Sequence, residues 1–159
     1  YKIARYYFAL KSDYPLSFCD AGCGDGRSLF LVNFLYGRPV CGMEVNVDFI
    51  KKIMLLKSVL IRRRMKKNKQ AVDMIMVVGD DMFNSSFEGY GIIFLTWTTF
   101  KDKTEKAMIS KLEREVIDKA IVVTLTYPIN SDSFEVIDKR RLLVSWGSSV
   151  AYFQRKVER

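Results

Sequence analysis

Seven consecutive residues, Asp20-Ala21-Gly22-Cys23-Gly24-Asp25-Gly26, constrain what this chain can fold into more than any other stretch. They lie between an apolar run ending at Asp20 and a segment with helical apolar spacing from Arg27 to Tyr36. Glycine has no Cβ and takes left-handed backbone conformations cheaply. Gly22, Gly24 and Gly26, spaced by two, therefore suit a tight strand-to-helix turn that a ligand can approach closely. The helix that follows offers free N–H groups and a partial positive charge at its start. No Gly-Lys-Ser/Thr follows, which excludes a P-loop. A dinucleotide fingerprint fits poorly, because the glycine spacing is two and two rather than two and three. Taken alone, an ordinary tight turn is the plain alternative.

Beyond this turn, apolar runs alternate with helical patterns, which argues for an α/β fold around a mostly parallel sheet. Strands are expected at Leu16–Asp20, Val40–Val45, Met74–Val78, Ile92–Trp97 and Ile121–Thr126. Two more are expected between Phe134 and Val157, joined by a hairpin around Gly147–Ser149, with Leu142, Val144, Val150, Tyr152 and Val157 facing inward. Helices are expected at Ile3–Leu10, Arg27–Tyr36, Val47–Lys67 and Asp102–Ile117. Their core stripes are Leu29, Phe30, Val32 and Phe34, then Ile50, Ile53, Met54, Leu60 and Ile61, then Met108, Ile109, Leu112 and Val116.

Composition narrows the chemistry. At 159 residues and 49% hydrophobic, the chain is expected to form one domain spanning residues 1–159 around a substantial core. It has no histidine, which removes His-based triads, His general bases and most zinc sites. The cysteines at 19, 23 and 41 form neither a disulfide framework nor a paired metal spacing, so a reducing compartment is the default and no metal is expected. A net charge of +8 favours acidic partners: nucleic acid, anionic lipid heads or an acidic protein surface. The densest basic run, Arg62 to Lys69, suits either a solvated helix end or contact with phosphate backbone, and no aromatic residue interleaves it for base stacking. No apolar stretch approaches the roughly 18 residues of a membrane span. The chain begins at Tyr1 rather than Met, which leaves room for a removed targeting segment. Mitochondrial, nuclear and cytoplasmic sites are all compatible with these features.

Two acidic positions extend the glycine-turn signal. Glu44, in Gly42-Met43-Glu44-Val45-Asn46, lies about 20 residues beyond the turn, where a carboxylate can hold a ribose diol. Asp80 and Asp81 close the third strand, where a side chain can accept a hydrogen bond from an adenine amino group. Alone, Glu44 reads equally well as a helix-start charge.

The order DAGCGDGR, GMEVN, VVGDD resembles the class I S-adenosylmethionine-dependent methyltransferases. That resemblance implies a Rossmann-like, seven-stranded, mostly parallel sheet with helices on both faces and an antiparallel last strand. It also implies S-adenosyl-L-methionine as cofactor. Gly22, Gly24 and Gly26, with Asp20 opening the turn, match the site for its methionine part; Glu44 matches the ribose site and Asp80 or Asp81 the adenine site. The CGDGR run, the KLERE stretch at Lys111 to Glu115 and the ending VSWGSSVAYF are further similar to small protein-lysine methyltransferases. That group comprises the catalytic core of the non-SET histone enzymes (the disruptor-of-telomeric-silencing type) and compact archaeal and mitochondrial relatives. In place of the histone enzymes' Asn-Asn-Phe after strand four stands Thr96-Trp97-Thr98-Thr99-Phe100; the smaller relatives also lack the Asn pair. The (Asn/Asp)-Pro-Pro-aromatic motif of adenine and glutamine amino-methyltransferases is missing.

These matches imply methyl transfer to a lysine presented by a protein substrate. Thr96, Trp97, Trp146 and Tyr152 are the candidate residues of the transfer site, and Phe100 and Phe153 are further candidates for an aromatic channel. Plain core packing is the competing reading for each aromatic. No general base can be named. Two alternatives stand beside this expectation: an RNA methyltransferase gripping nucleic acid through Arg62 to Lys69, and a methyltransferase fold serving as a structural subunit of a ribonucleoprotein or mitochondrial assembly.

Overall fold

Four- and five-residue apolar runs bounded by turn residues are too short to form helices alone and pair as strands, buried within the sheet and half-exposed at its Ile75–Val78 edge. The computed structural model describes residues 17–63, 72–96, 98, 100, 102–144 and 147–158. Within them the runs form β1 (Phe18–Ala21), β2 (Val40–Met43), β3 (Ile75–Val78), β4 (Ile92–Leu95) and β5 (Ile121–Leu125). Two longer strands follow, β6 (Phe134–Val144) and β7 (Gly147–Lys156). The helices are α1 (Arg27–Tyr36), α2 (Val47–Arg63) and α3 (Asp102–Glu115). All strands join one seven-stranded sheet in the order β3-β2-β1-β4-β5-β7-β6. β1 to β5 run parallel, and β7 enters antiparallel between β5 and β6. This is the sheet that the resemblance implies.

The strand order sets where a ligand can bind. From β1 the chain builds outward through β2 to β3, then returns to β4 on the other side of β1. The crevice at the carboxyl ends of β1 and β4 is therefore a topological switch point, the place where open α/β sheets take their ligands.

Alternation along the strands divides the core between two faces. On one, Phe18, Val40, Ile75 and Ile92 pack with Leu29, Phe30 and Val32 of α1 and Ile53 of α2. On the other, Cys19, Ala21, Met43, Ile93, Leu95 and Val122 pack with Met108 and Leu112 of α3 and with Phe87. A third cluster joins Val123 and Leu125 to Ala151 and Phe153.

Three expectations need correction. Met54 is 53% exposed, because one residue after the fully buried Ile53 is about 100° round the helix and off the packed stripe. The terminal turn comes earlier than expected: Val144 pairs with Gly147, so residues 147–149 belong to β7 itself. The buried residues of β7 include Ala151, Phe153 and Gln154, whereas Leu142 is exposed and Val144, Val150, Tyr152 and Val157 only half-buried. Leu142, Val144 and Val150 lie where β5 no longer pairs with β7, whereas Tyr152, paired on both sides, points by strand alternation to the face opposite that of buried Ala151 and Phe153. The expected Ile3–Leu10 helix and positions 64–67 of the second long helix lie outside the described residues.

The turn is seated on β2 at Gly42, where an added Cβ would lie 2.5 Å from Cys23 Sγ and 2.6 Å from Leu29 Cδ1. Both neighbours are buried and cannot withdraw. Gly42→Ala is expected to cost about 1–3 kcal/mol by overpacking and to lower the midpoint of thermal unfolding by about 3–10 °C. An unchanged midpoint by circular dichroism would show that the turn does not rest against β2.

Candidate functional site

The glycine turn hangs from β2. The N–H groups of Gly22 and Cys23 both donate to the carbonyl of Met43, at 2.9 and 3.0 Å. Gly22, Gly24 and Gly26 have φ of 82°, 54° and 75°, the left-handed region in which a side chain is strained. Around Gly24 the space where a Cβ would point is open. α1 then starts at Arg27 with no side-chain cap and no acidic residue in its first turn, so its leading N–H groups are left for a ligand.

Glu44 ties this turn to the next crossover. Its Oε2 accepts from Gly24 N at 2.8 Å and its Oε1 from Asn46 N at 2.8 Å. Asn46 in turn caps α2, its Oδ1 accepting from Asp48 N at 2.9 Å. A carboxylate oxygen offers two lone-pair directions, so Glu44 can hold both backbone groups and still accept from a diol.

Asp20 occupies a different place from that of a surface contact. It is 3% exposed, beneath the turn, with Oδ2 accepting from the Ser28 hydroxyl and Oδ1 left without a partner among the described residues. Burial pushes its carboxyl up from 3.8 to about 6; the Ser28 hydrogen bond opposes the rise and the Glu44 charge adds to it. Asp20 supports the turn and presents one unsatisfied buried oxygen. Burial also raises the Cys23 thiol, with Asp20 and Glu44 adding to the rise, which removes it as a nucleophile.

The end of β3 supplies the other two acids. Asp80 Oδ1 accepts from Asp81 N at 2.7 Å, and Asp81 Oδ1 from Phe83 N at 3.0 Å, shaping the turn that follows. Each carboxylate keeps one oxygen uncommitted among the described residues, and both are exposed. Met82, in the same turn, reaches back so that its Cε lies 3.2 Å from where a Gly22 Cβ would be. Behind this loop, Glu115 of α3 accepts from Phe87 N at 3.1 Å and pairs with Lys111 at 2.8 Å. Burial raises the Glu115 carboxyl, but hydrogen bonds from Lys111, Phe87 and Arg114 outweigh it and leave it below the ordinary value.

The transfer-site candidates are more scattered. Thr96 follows β4 directly, half-buried at the switch point. Trp97 and Trp146 lie outside the described residues, as do positions 64–69 of the basic run. Phe100 packs on Phe83, ring centroids 6.0 Å apart, against the main core. Tyr152 stands in register with Thr124, itself in register with Leu95, so it lies two strands or about 10 Å from the end of β4. The Lys139 ammonium sits 5.5 Å from its ring centroid. Phe153 does not join it: successive strand residues point to opposite faces, and Phe153 is buried with Val123 and Leu125.

Gly22, Gly24, Gly26 and Glu44 thus come together at one rim, with Asp80, Asp81 and Thr96 beside them. Nothing local in the sequence marks Ser28 or Met82, and Glu115 stands out there only as the end of the KLERE stretch, with no part in the site. Asn46 carried a readable signal, a capping residue just before a helix. Among the described residues, no group of three or more His, Cys, Asp or Glu is placed to hold a metal. An open glycine cradle, an uncapped helix start that offers N–H donors and carboxylates with spare acceptor positions together fit an amino-acid end, a diol and an exocyclic amine.

No protein-family model matches the sequence, and no curated protein matches it significantly. Solved structures match in fold. An RNA methyltransferase from Salinibacter ruber, in complex with S-adenosyl-L-homocysteine, aligns with a TM-score of 0.68 at 17% identity, over 99% of this chain and 92% of that one. A glycopeptide N-methyltransferase aligns with a TM-score of 0.71 at 10% identity, over 98% and 95%. An rRNA methylase from Streptococcus thermophilus aligns with a TM-score of 0.68 at 15% identity, over 99% and 95%. The fold is that of the class I methyltransferases.

Asp20 makes the site's electrostatics testable. Its raised folded value means that folding favours the protonated acid. No penalty exists below pH 4; stability falls as pH rises through the interval up to about 6, and the full cost remains above it. Asp20→Asn, which cannot ionise, is therefore expected to be more stable than the parent at pH 7.5 by on the order of 2–3 kcal/mol. Urea unfolding at pH 4, 5.5 and 7.5 should show that gap closing toward acid. A gap independent of pH would mean that Asp20 is not ionised against its burial.

Proposed function

We propose that this chain is an S-adenosylmethionine-dependent methyltransferase acting on a lysine side chain of a protein. The observation that carries the cofactor half is the clamp of Glu44 across Gly24 N and Asn46 N, at 2.8 Å each, at the switch point of a class I methyltransferase fold. The similar structures include one in complex with S-adenosyl-L-homocysteine and another, a geranyl diphosphate methyltransferase, in complex with sinefungin. The lysine half rests on the likeness of CGDGR, KLERE and VSWGSSVAYF to small protein-lysine methyltransferases.

In this reading Gly22, Gly24 and Gly26 let the backbone close on the methionine end, while Asp20 supports the turn from below. Glu44 accepts from the ribose hydroxyls, and Asp80 or Asp81 from the adenine amine. The cofactor supplies a methyl already activated by its sulfonium. The chain has chiefly to hold an attacking nitrogen within about 3–3.5 Å in line with that methyl. A lysine must arrive neutral, which a dry, apolar surround favours because it disfavours the ammonium form. Thr96, directly after β4, and Phe100, packed on Phe83, with Tyr152 two strands away and Trp97 and Trp146, are the residues assigned to this role.

A second reading, methylation of RNA, draws on the RNA and rRNA methyltransferases among the similar structures and on the run Arg62 to Lys69. The acceptor decides between them.

Calorimetric titration of S-adenosylmethionine is expected to show binding that Glu44→Ala weakens at least roughly tenfold, the loss of hydrogen bonds to a charged group. Tritium from the labelled methyl should then be recovered as methyl-lysine after acid hydrolysis of product. Recovery in nucleoside, with activity abolished by reversing Arg62, Arg63 and Arg64 to Glu, would transfer the assignment to RNA. A folded protein with no affinity for the cofactor would leave only the structural-subunit alternative.

A further inference from the structure

Among the described residues, Asp20 is a buried acid paired with no cation. It stands in register between Gly42 of β2 and Phe94 of β4, and its side chain meets α1, where Oδ2 accepts from the Ser28 hydroxyl. Oδ1 is buried with no partner among the described residues. The titratable groups around it are Glu44 at the end of β2 and the thiols of Cys19 and Cys23. None of these brings positive charge. The basic residue that follows the turn, Arg27, is paired with Asp25 at 2.9 Å and leaves its side chain 90% exposed.

Support of the turn explains the Ser28 bond but not the acid. An amide of the same size would accept from Ser28 equally well and carry no charge into the interior. The chain instead places an ionisable group where burial and Glu44 both oppose its charge. Directly above it, α1 begins with no side-chain cap on its leading N–H groups. One spot therefore offers donors suited to a carboxylate and, beneath them, an unanswered acid suited to an ammonium. Those are the two charges of an α-amino-acid end.

The two charges act on Asp20 in opposite directions. Burial pushes its carboxyl up to about 6, so the acid holds its proton in mildly acidic solution. A cation brought against the turn favours the ionised form and draws that value down. Proton and cation therefore exclude one another. Affinity for the cation is low where Asp20 is protonated, rises with pH through about 6 and is constant above it. The Ser28 hydroxyl sets where this change falls, because it donates to the ionised form and so favours it.

We propose that Asp20 couples cofactor binding to proton release: the amino-acid end of S-adenosylmethionine docks on the glycine turn as Asp20 gives up its proton, and mild acid thereby weakens the protein's hold on its cofactor. Asp20 acts as a positioning residue beneath the turn, and Ser28 tunes it. The proposal rests on the methyltransferase reading of the site and is independent of the methyl acceptor.

Calorimetric titration of the full chain with S-adenosylmethionine, repeated from pH 5 to pH 7 in pairs of buffers that differ in ionisation enthalpy, counts the protons released. The cofactor's own α-amino group stays charged over this interval, so the exchange reports the protein. Release of roughly half a proton or more per site is expected at pH 5.5, falling toward zero at pH 7, with binding roughly five- to tenfold tighter at pH 7 than at pH 5. Asp20→Asn should release no proton and bind no more tightly at any pH than the parent does at pH 5. Ser28→Ala should move the midpoint of the pH dependence upward. Binding without proton exchange overturns the proposal. So does a proton count unchanged in Asp20→Asn, which would assign the proton to another group, or a Ser28→Ala midpoint at or below that of the parent. Absence of cofactor binding at every pH, in protein shown to be folded by circular dichroism, would sink the methyltransferase reading as well, whereas pH-independent binding sinks the coupling alone.

Discussion

The carbonyl of Met43 holds the glycine turn, and the geometry of the whole rim depends on that suspension. Two successive N–H groups, from Gly22 and Cys23, converge on it at the end of β2. The approach is possible only because Gly42 carries no side chain where Cys23 and Leu29 press in. With the turn fixed there, α1 leaves β1 in one direction and its uncapped start faces the switch point between β1 and β4. Glu44 then bridges the turn to the start of α2 through Gly24 N and Asn46 N. One backbone suspension and one carboxylate thus orient the starts of both α1 and α2.

The same rim gathers negative charge in a protein that is otherwise strongly basic. Asp20, Glu44, Asp80 and Asp81 stand at the ends of β1, β2 and β3, against a net charge of +8. Crowding of this kind is unfavourable in itself, and Asp20 registers it: burial and the neighbouring Glu44 both raise its carboxyl. Local strain of this order persists where the surrounding structure over-determines the arrangement. Here the surroundings are the packed strands on either side and the Ser28 hydroxyl. A ligand that brings positive charge or hydrogen-bond donors relieves the crowding, which gives the rim a chemical preference.

The loops around the crevice are held from behind as well as by their own local hydrogen bonds. Glu115 on α3 fixes Phe87 in the connection before β4. Gln154 on β7 makes a reciprocal pair with the backbone of Ile129, at 2.7 and 2.9 Å, and so fixes the connection after β5. In that connection Thr126 takes a φ of 78°, unusual for a β-branched residue, and Thr124 Oγ1 donates to Tyr127 O. Anchoring from the core face leaves the outer backbone exposed at the rim while limiting its motion, a combination suited to presenting contacts to an acceptor.

Much of the frame was legible in the chain itself. Period-two and period-3.6 apolar patterns located the strands and helices, and α1 runs from Arg27 to Tyr36 as its stripe predicts. The glycine turn, Glu44 and the Asp80–Asp81 pair were marked by residue type and spacing, because left-handed backbone and acceptor chemistry are local properties. Burial and facing were not. Tyr152 and Phe153 look alike in sequence, yet they point to opposite faces, and only the covering neighbours decide which becomes core. Asp20 reads in sequence only as the opening of the glycine turn; its burial beneath that turn, with one oxygen unpartnered among the described residues, is decided by packing. Met82 on Gly22, Glu115 on Phe87 and the reach of the β6–β7 ribbon past β5 all join segments distant along the chain. The sequence by itself determined the elements and the chemistry available at their ends. Only the tertiary structure decided which groups meet, because contact, desolvation and register arise between residues whose separation in sequence carries no record of their separation in space.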